Sequence, residues 1–238
     1  MRIALIGYGK MGRAIEALGL QQGHSFPLVI DEGNTGDLNA ANMSGVDVAM
    51  EFSTPRTAPG NISRCLELGL PVVSGTTGWN DRFEEVASNC RTLGGAFFFA
   101  SNFSVGVNIL FAMNRKLAAI MNRFPEYHVS MREVHHIHKQ DAPSGTAITL
   151  ADQIIDGMER TRDWSLDDSP DTATLYIESV REGEVKGAHT VTYESALDII
   201  SLGHSAKSRE AFAAGALMAA AFLPGKKGIF GMEDLLNI

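Results

Sequence analysis

The first thirty-one residues leave few folds open. Arg2-Ile3-Ala4-Leu5-Ile6 is a short apolar run that reads as a buried parallel strand, and Gly7-Tyr8-Gly9-Lys10-Met11-Gly12 follows it without a gap. Arg13 to Gln22 then reads as a helix, with Ala14, Ala17 and Leu18 on one face. A lone GxGxxG is a weak signal. This one sits between a strand and a helix, where glycines allow a tight turn and a pyrophosphate can meet the helix N-terminus. A second strand, Phe26-Pro27-Leu28-Val29-Ile30, ends at Asp31. That is about 20 residues past the last glycine, where a dinucleotide fold places the acid of its ribose. A plain tight turn and a surface aspartate would explain each feature singly; the spacing favours a dinucleotide site. An aspartate accepts from the ribose diol and repels a 2′-phosphate, and Glu32 and Gly33 supply no arginine. NADH is therefore the preferred cofactor. Lys10 could still reach a 2′-phosphate, so NADPH stays open.

The same rhythm continues. Asp47 to Phe52 is a strand, and Ser53-Thr54-Pro55 predicts a helix start, with a hydroxyl cap before proline. Gly69 ends that helix, and Leu70 to Ser74 is the next strand. Gly75-Thr76-Thr77-Gly78 stands at its carboxyl end, where open α/β sheets bind ligands. Asn80 to Asn89 reads as a helix and Ala96 to Ala100 as a fifth strand, closed by Ser101-Asn102-Phe103-Ser104. This regular order predicts an α/β protein with an N-terminal Rossmann-type doubly wound parallel sheet.

The second half reads differently. Val107 to Phe124 is a long helix that opens a smaller α+β domain with a mixed or antiparallel sheet. Tyr127 to Val134 reads as a strand, and a helix runs to Met158. Arg160 to Asp171, with Pro170, predicts an exposed loop. Ala173 to Val180, Gly187 to Ser195 and Leu197 to Ser205 predict three strands, and alternation at His189, Val191 and Tyr193 suits antiparallel pairing. Gly183 and Gly187 then shape a hairpin connection, and His189 is structural. Ser208 to Leu223 is an alanine-rich helix, Gly225 to Gly231 a turn, and Met232 to Ile238 a short helix.

Between strand and helix lies the densest chemistry of the chain, Glu133 to Ala147. It holds His135, His136, His138, Lys139 and Asp141, then turns at Ala142-Pro143 into a helix capped by Ser144. Gly145 and Thr146 fall in the first turn, whose N–H groups form an anion site. A metal on His135, His136, His138 and Asp141 is the alternative. The spacing matches neither HExxH nor a finger, and Lys139 adds positive charge, so no metal is expected. Imidazole and ammonium beside an anion site suit reduction of an anionic acceptor next to a general acid.

Composition excludes other classes. The formal net charge of -8 argues against nucleic-acid binding and against an anionic membrane surface. Cys65 and Cys90 have no CxxC spacing, and no apolar run nears the roughly 18 residues of a membrane span. The chain opens on a strand in place of a signal peptide, so a cytoplasmic location is expected.

The run E-x-H-H-x-x-K-x-D-x-P-S-G-T-A, present as Glu133, His135, His136, Lys139, Asp141, Pro143, Ser144, Gly145, Thr146 and Ala147, resembles the signature of the dihydrodipicolinate reductases. The GTTG run, Ser101 to Asn108, and Arg181, Gly183, Gly187 and His189 also resemble that family, so the likeness covers nearly the full chain. GYGKMG departs by being one residue shorter than the family's usual loop. The resemblance implies NAD(P)H-dependent reduction of 4-hydroxy-tetrahydrodipicolinate, a cyclic dicarboxylate, in lysine and diaminopimelate synthesis. His135 and Lys139 would be the acid/base pair. His136 and Ser144, Gly145 and Thr146 would bind the carboxylates. Gly7, Tyr8, Gly9, Lys10, Met11, Gly12, Asp31, Gly75, Thr76, Thr77, Ala100, Ser101, Asn102 and Phe103 would contact the cofactor. The cofactor domain would be 1–104, with 209–238 returning to it, and 105–208 the substrate and oligomerisation domain. A homotetramer joined through the second sheet is the expected assembly, its subunit number taken from the family. Two rivals remain: another small-acid reductase such as an amino-acid dehydrogenase, and a non-catalytic NAD-binding sensor.

Overall fold

A computed structural model describes residues 1–167, 173–208 and 210–238. The chain divides into two units, Met1–Val105 with Glu210–Ile238, and Gly106–Arg209.

In the first unit β1 (Arg2–Ile6) is buried on both faces, because alternate residues feed two separate cores. Ile3 and Leu5 pack with α1 (Lys10–Gln21) and α6 (Glu210–Phe222); Ala4 and Ile6 pack with α2 (Ala58–Glu67) and α3 (Phe83–Leu93). Helices on both faces of one sheet demand a near-continuous apolar strand, which is what the sequence of β1 supplies. With β2 (Ser25–Ile30), β3 (Val48–Glu51), β4 (Val72–Ser74), β5 (Ala96–Phe99) and β11 (Gly228–Phe230), the sheet order is β11-β5-β4-β3-β1-β2. All five pairings are parallel. The fold is Rossmann-like.

Two sequence expectations are corrected here. The helix expected from Ser53-Thr54-Pro55 begins only at Ala58, with Pro59 in its first turn. The hydroxyls of Ser53, Thr54 and Thr57 bond one another instead of capping a helix. The turn expected over Gly225 to Gly231 contains β11, which extends the sheet beside β5. Three residues, the first of them a glycine, give too short an alternation to read, and the pairing partner lies more than a hundred residues away.

In the second unit α4 (Val105–Met121, its first residue belonging to the first unit) and α5 (Gly145–Gly157) cover one face of a five-stranded mixed sheet. Its order is β10-β9-β6-β8-β7, from β6 (His128–His135), β7 (Asp163–Ser165), β8 (Thr174–Arg181), β9 (Ala188–Glu194) and β10 (Ile199–Ser205). Leu110, Ala118, Met121, Leu150 and Ile154 of the helices meet Met131, Leu175, Ile177, Val191 and Tyr193 of the strands. The other face is half-exposed, with Arg132 paired to Glu178 at 3.0 Å beside Thr190 and Thr192.

Two further expectations change. β7 lies inside the stretch expected as an exposed loop, parallel to β8; positions 168 to 171 of that stretch lie outside the described residues. The β8–β9 connection is not a hairpin. β6 inserts between those strands, parallel to β8 and antiparallel to β9. A hairpin needs direct antiparallel pairing, and β6 occupies that position.

Candidate functional site

Above the carboxyl ends of β1, β2 and β3 the first unit forms a pocket of about 940 Å³. One wall is Ile30, Asp31, Glu32 and Thr35; the other is Phe52 to Thr57 with Asn61; Ile6, Gly7, Tyr8 and Gly9 lie between them. The glycines divide by function. Gly7 has φ +92°, and a Cβ there would lie 2.3 Å from the Phe52 carbonyl oxygen. Gly9 has an ordinary φ of -77°, and a Cβ there would meet nothing within 4 Å. Packing therefore explains Gly7, while at Gly9 the bare backbone faces open pocket, as close approach of a pyrophosphate requires. No side chain caps α1 at Gly9, and its first turn carries no acid, so its N–H groups suit an anion. These residues fit a dinucleotide.

Asp31 is exposed at the end of β2, and its backbone N–H donates to the Asn34 side chain at 2.8 Å. Tyr8 donates its hydroxyl to Glu16, and Arg13 lies 4.4 Å over its ring. Lys10 is exposed at the start of α1, while Met11 packs against the core. The Thr76 hydroxyl accepts from Ser53 N at 2.9 Å, and a Cβ at Gly75 would strike the Phe52 ring. Ala100 is buried, Ser101 exposed, and the Asn102 side chain accepts from Ser104 N at 2.9 Å. Phe103 is a core residue, stacked on Phe98 at 5.9 Å, so only its backbone is available to a ligand.

The second unit builds its site on one carboxyl group. Glu133, fully buried, accepts from Ser144 N at 3.1 and 3.2 Å, the Ser179 hydroxyl at 2.6 Å and Arg181 Nη2 at 3.2 Å. His135 Nδ1 lies 3.3 Å and His189 Nε2 3.6 Å from its Oε2. Sheet register explains the convergence: Glu133 stands opposite Ser179 on β8 and His189 on β9. Burial alone would push the Glu133 carboxyl up. Donors from His189, Ser144 and Ser179, with the nearby His135, outweigh burial and hold it well below the carboxylate range.

His135 is buried, and its pKa falls to about 4. Burial is the main cause; Glu133 opposes it, and the charges of His189, Lys139 and Arg181 reinforce it. The ring of His189 meets that of His135 edge-on at 5.1 Å. Gly187, at φ +142°, makes room for both: a Cβ there would lie 3.1 Å from His135 Nε2. Ser144 caps α5 by accepting from Ala147 N at 3.2 Å and also meets His189 Nε2 at 3.0 Å. Lys139 Nζ donates to both Asp141 oxygens at 2.7 Å and pulls that carboxyl down. Arg181 also donates to the Asp141 carbonyl, which ties the 136–143 loop to β8. Gly145 is exposed and Thr146 and His136 half-buried beside this loop.

His135, His136, His138 and Asp141 do not converge as a ligand set: the His138 side chain is 71% exposed, and Asp141 is engaged by Lys139. Among the described residues Glu133, His135 and His189 do bring ligand atoms within 4.8 Å of one another. Arg181 and two serine groups fill that carboxyl's acceptor sites, which opposes a cation there. Ser179 and Arg181 reach the site from outside the motif at 133–147, and His189, expected as structural, meets both Ser144 and Glu133 there. An arginine in the R-x-G run was the available signal, but its direction depended on the unforeseen placement of β6.

The N-terminal model of dihydrodipicolinate reductase matches residues 1–103 and its C-terminal model residues 106–236. A 4-hydroxy-tetrahydrodipicolinate reductase from Christiangramia forsetii is 45% identical over 238 residues, 100% of this chain and 98% of that protein. Its counterpart from Neisseria meningitidis serogroup B is 32% identical over 230 residues, 94% of this chain and 84% of that one. A solved dipicolinate-bound dihydrodipicolinate reductase from a Paenisporosarcina species covers 98% of both chains with a TM-score of 0.82 and 21% identity, a likeness of fold.

Proposed function

The chain belongs to the dihydrodipicolinate reductase family, and from that premise we propose how its residues divide the work of the reaction. That reaction is the NAD(P)H-dependent reduction of 4-hydroxy-tetrahydrodipicolinate to tetrahydrodipicolinate, in lysine and diaminopimelate synthesis. One hydride and one proton enter, and the ring hydroxyl leaves as water. The dinucleotide, when bound, supplies the hydride.

The first unit holds the cofactor through Gly7 to Gly12 and Asp31, with Gly75 to Thr77 and Ala100 to Phe103 as further contacts. Asp31 and Glu32 make NADH the preferred form, because both repel a 2′-phosphate. The second unit holds the acceptor. The N-terminus of α5 at Gly145 and Thr146, with His136, receives its carboxylates, while Ser144, whose N–H donates to Glu133, caps and positions that turn. His135 and Lys139 form the acid/base pair. Burial lowers the His135 pKa to about 4, so near pH 7 the ring is mainly neutral, while the Lys139 ammonium is a fixed cation. Lys139 is therefore the donor, and His135 orients the acceptor by hydrogen bonding. The observation that carries this reading is buried Glu133, which accepts from Ser144 N at the start of α5 and stands 3.3 Å from His135 Nδ1.

The test is NADH consumption with freshly generated hydroxy-tetrahydrodipicolinate, against a panel of keto and imino acids. Turnover confined to the panel would favour an amino-acid dehydrogenase; NADH binding without any turnover would favour a sensor. The assembly is a homotetramer through the second sheet, motivated by its half-exposed face and by Ile199, 59% exposed on β10. Sedimentation at micromolar concentration checks it, and a monomer would defeat it. A cytoplasmic setting suits this activity, and no described helix is long and apolar enough to cross a membrane.

A further inference from the structure

We propose that Arg56 is a 2′-phosphate contact in the cofactor pocket, admitting NADPH from the wall that faces Asp31 and Glu32. The inference rests on the cofactor assignment above. Among the residues lining the pocket Arg56 is the one cation, and Lys10 is not among them. Arg13 is committed to the Tyr8 ring, and Arg64 and Arg82 to Glu67 and Glu85. Arg56 is exposed and makes no ion pair or hydrogen bond among the described residues.

Its backbone, by contrast, is held on both sides. Glu51, fully buried at the end of β3, accepts from Ser53 N at 3.1 Å, from the Ser53 hydroxyl and from Ser74 Oγ at 2.8 Å. Ser53 Oγ meets Thr57 Oγ1 at 3.0 Å and accepts from Asn61 at 3.2 Å, and Thr54 meets Thr57 at 2.8 Å. Burying a carboxyl group is costly unless donors satisfy it, and here Ser53, of the segment that carries Arg56, supplies two of the donors and Ser74 of β4 another. The segment is thus braced while the guanidinium is left open to the pocket.

Sheet order sets the geometry. β1 lies between β2 and β3, so Asp31 and Arg56 rise on either side of the crevice above Gly7. A guanidinium fork matches phosphate oxygens in pairs, and an arginine near the ribose acid is the usual means of accommodating a 2′-phosphate. Here that arginine comes from the β3 side and does not follow Asp31 in sequence.

The experiment compares the full chain with its Arg56→Ala and Arg56→Lys variants. Calorimetry reads Kd for 2′,5′-ADP and for 5′-AMP, and steady-state assays read KM for NADPH and NADH. Arg56→Ala should raise the 2′,5′-ADP to 5′-AMP ratio of Kd, and the NADPH to NADH ratio of KM, at least tenfold. Arg56→Lys should recover part of each. Unchanged ratios would overturn the proposal, whether both partners weaken together through a lost adenine contact or neither changes. Failure of both cofactors to turn over would remove the reductase reading, while the two nucleotides would still decide the role of Arg56.

Discussion

His135 Nδ1 stands 3.3 Å from Glu133 Oε2 with both side chains buried, yet the ring is held neutral. Burial outweighs the attraction of the carboxylate, and Lys139, Arg181 and His189 add to it.

That balance makes stability depend on pH. The folded value of His135 is about 4 against an ordinary 6.5. Between those values the unfolded chain binds more protons than the folded one, so stability rises with pH across the window. Acidifying from pH 6.5 to 4 should remove about 2–3 kcal/mol through this residue. His204, also lowered by burial, acts in the same direction. Glu133 has the opposite shape of titration and the same sign: its depressed folded value stabilises above the carboxylate range, and that stability is lost as pH falls below about 4.5. Urea melts at stepped pH should show the native midpoint falling from pH 6.5, with a shallower slope for His135→Asn. A flat native midpoint over that range would show that the ring is not held neutral.

Gly215 offers a test of the first unit. A Cβ there would lie 1.8 Å from the Phe103 carbonyl oxygen, so α6 and the Ala100–Phe103 loop touch backbone to backbone. Gly215→Ala should cost roughly 1–3 kcal/mol or more by overpacking, seen as a lower melting temperature. Displacing the loop should also raise KM for NADH. Gly9→Ala is the contrast: its Cβ meets open space, so stability should hold while NADH binding weakens. Equal melting losses in both variants would contradict this division of the glycines.

What could be read from sequence was contiguous. GYGKMG with Asp31 a fixed distance on, and the run from Glu133 to Ala147, carry their meaning in local spacing, and capping at Ser144 needs only local rules. What escaped was assembled across strands. Ser179, Arg181 and His189 reach Glu133 only because β6 inserts between β8 and β9, an event no periodicity records. Arg56 stands far from Asp31 in sequence and shares its pocket only because the crevice joins the ends of two strands that are not adjacent. β11 was lost because three residues are too few to show a period.

The chemistry of the second unit turns on Lys139. Its Nζ is held by both oxygens of Asp141 at 2.7 Å, and its side chain is only 21% exposed. A lysine so placed can be the proton donor or a countercharge, and substitution separates the two. Lys139→Ala and His135→Ala should each slow turnover by roughly 10²–10⁴, the usual cost of losing a positioned acid or its partner. NADH binding should be nearly intact, because the residues assigned to its phosphates and ribose belong to the first unit. Thr146→Val should act otherwise. It removes a hydroxyl from the first turn of α5, so KM for the acceptor should rise at least as much as kcat falls. Lys139→Arg decides the role. It keeps the charge but gives up its proton far less readily. If Lys139 is the donor, the arginine variant should resemble Lys139→Ala in kcat while retaining a KM close to native. Native turnover in that variant would make Lys139 a countercharge, and the proton would then have to come from His135 or a water.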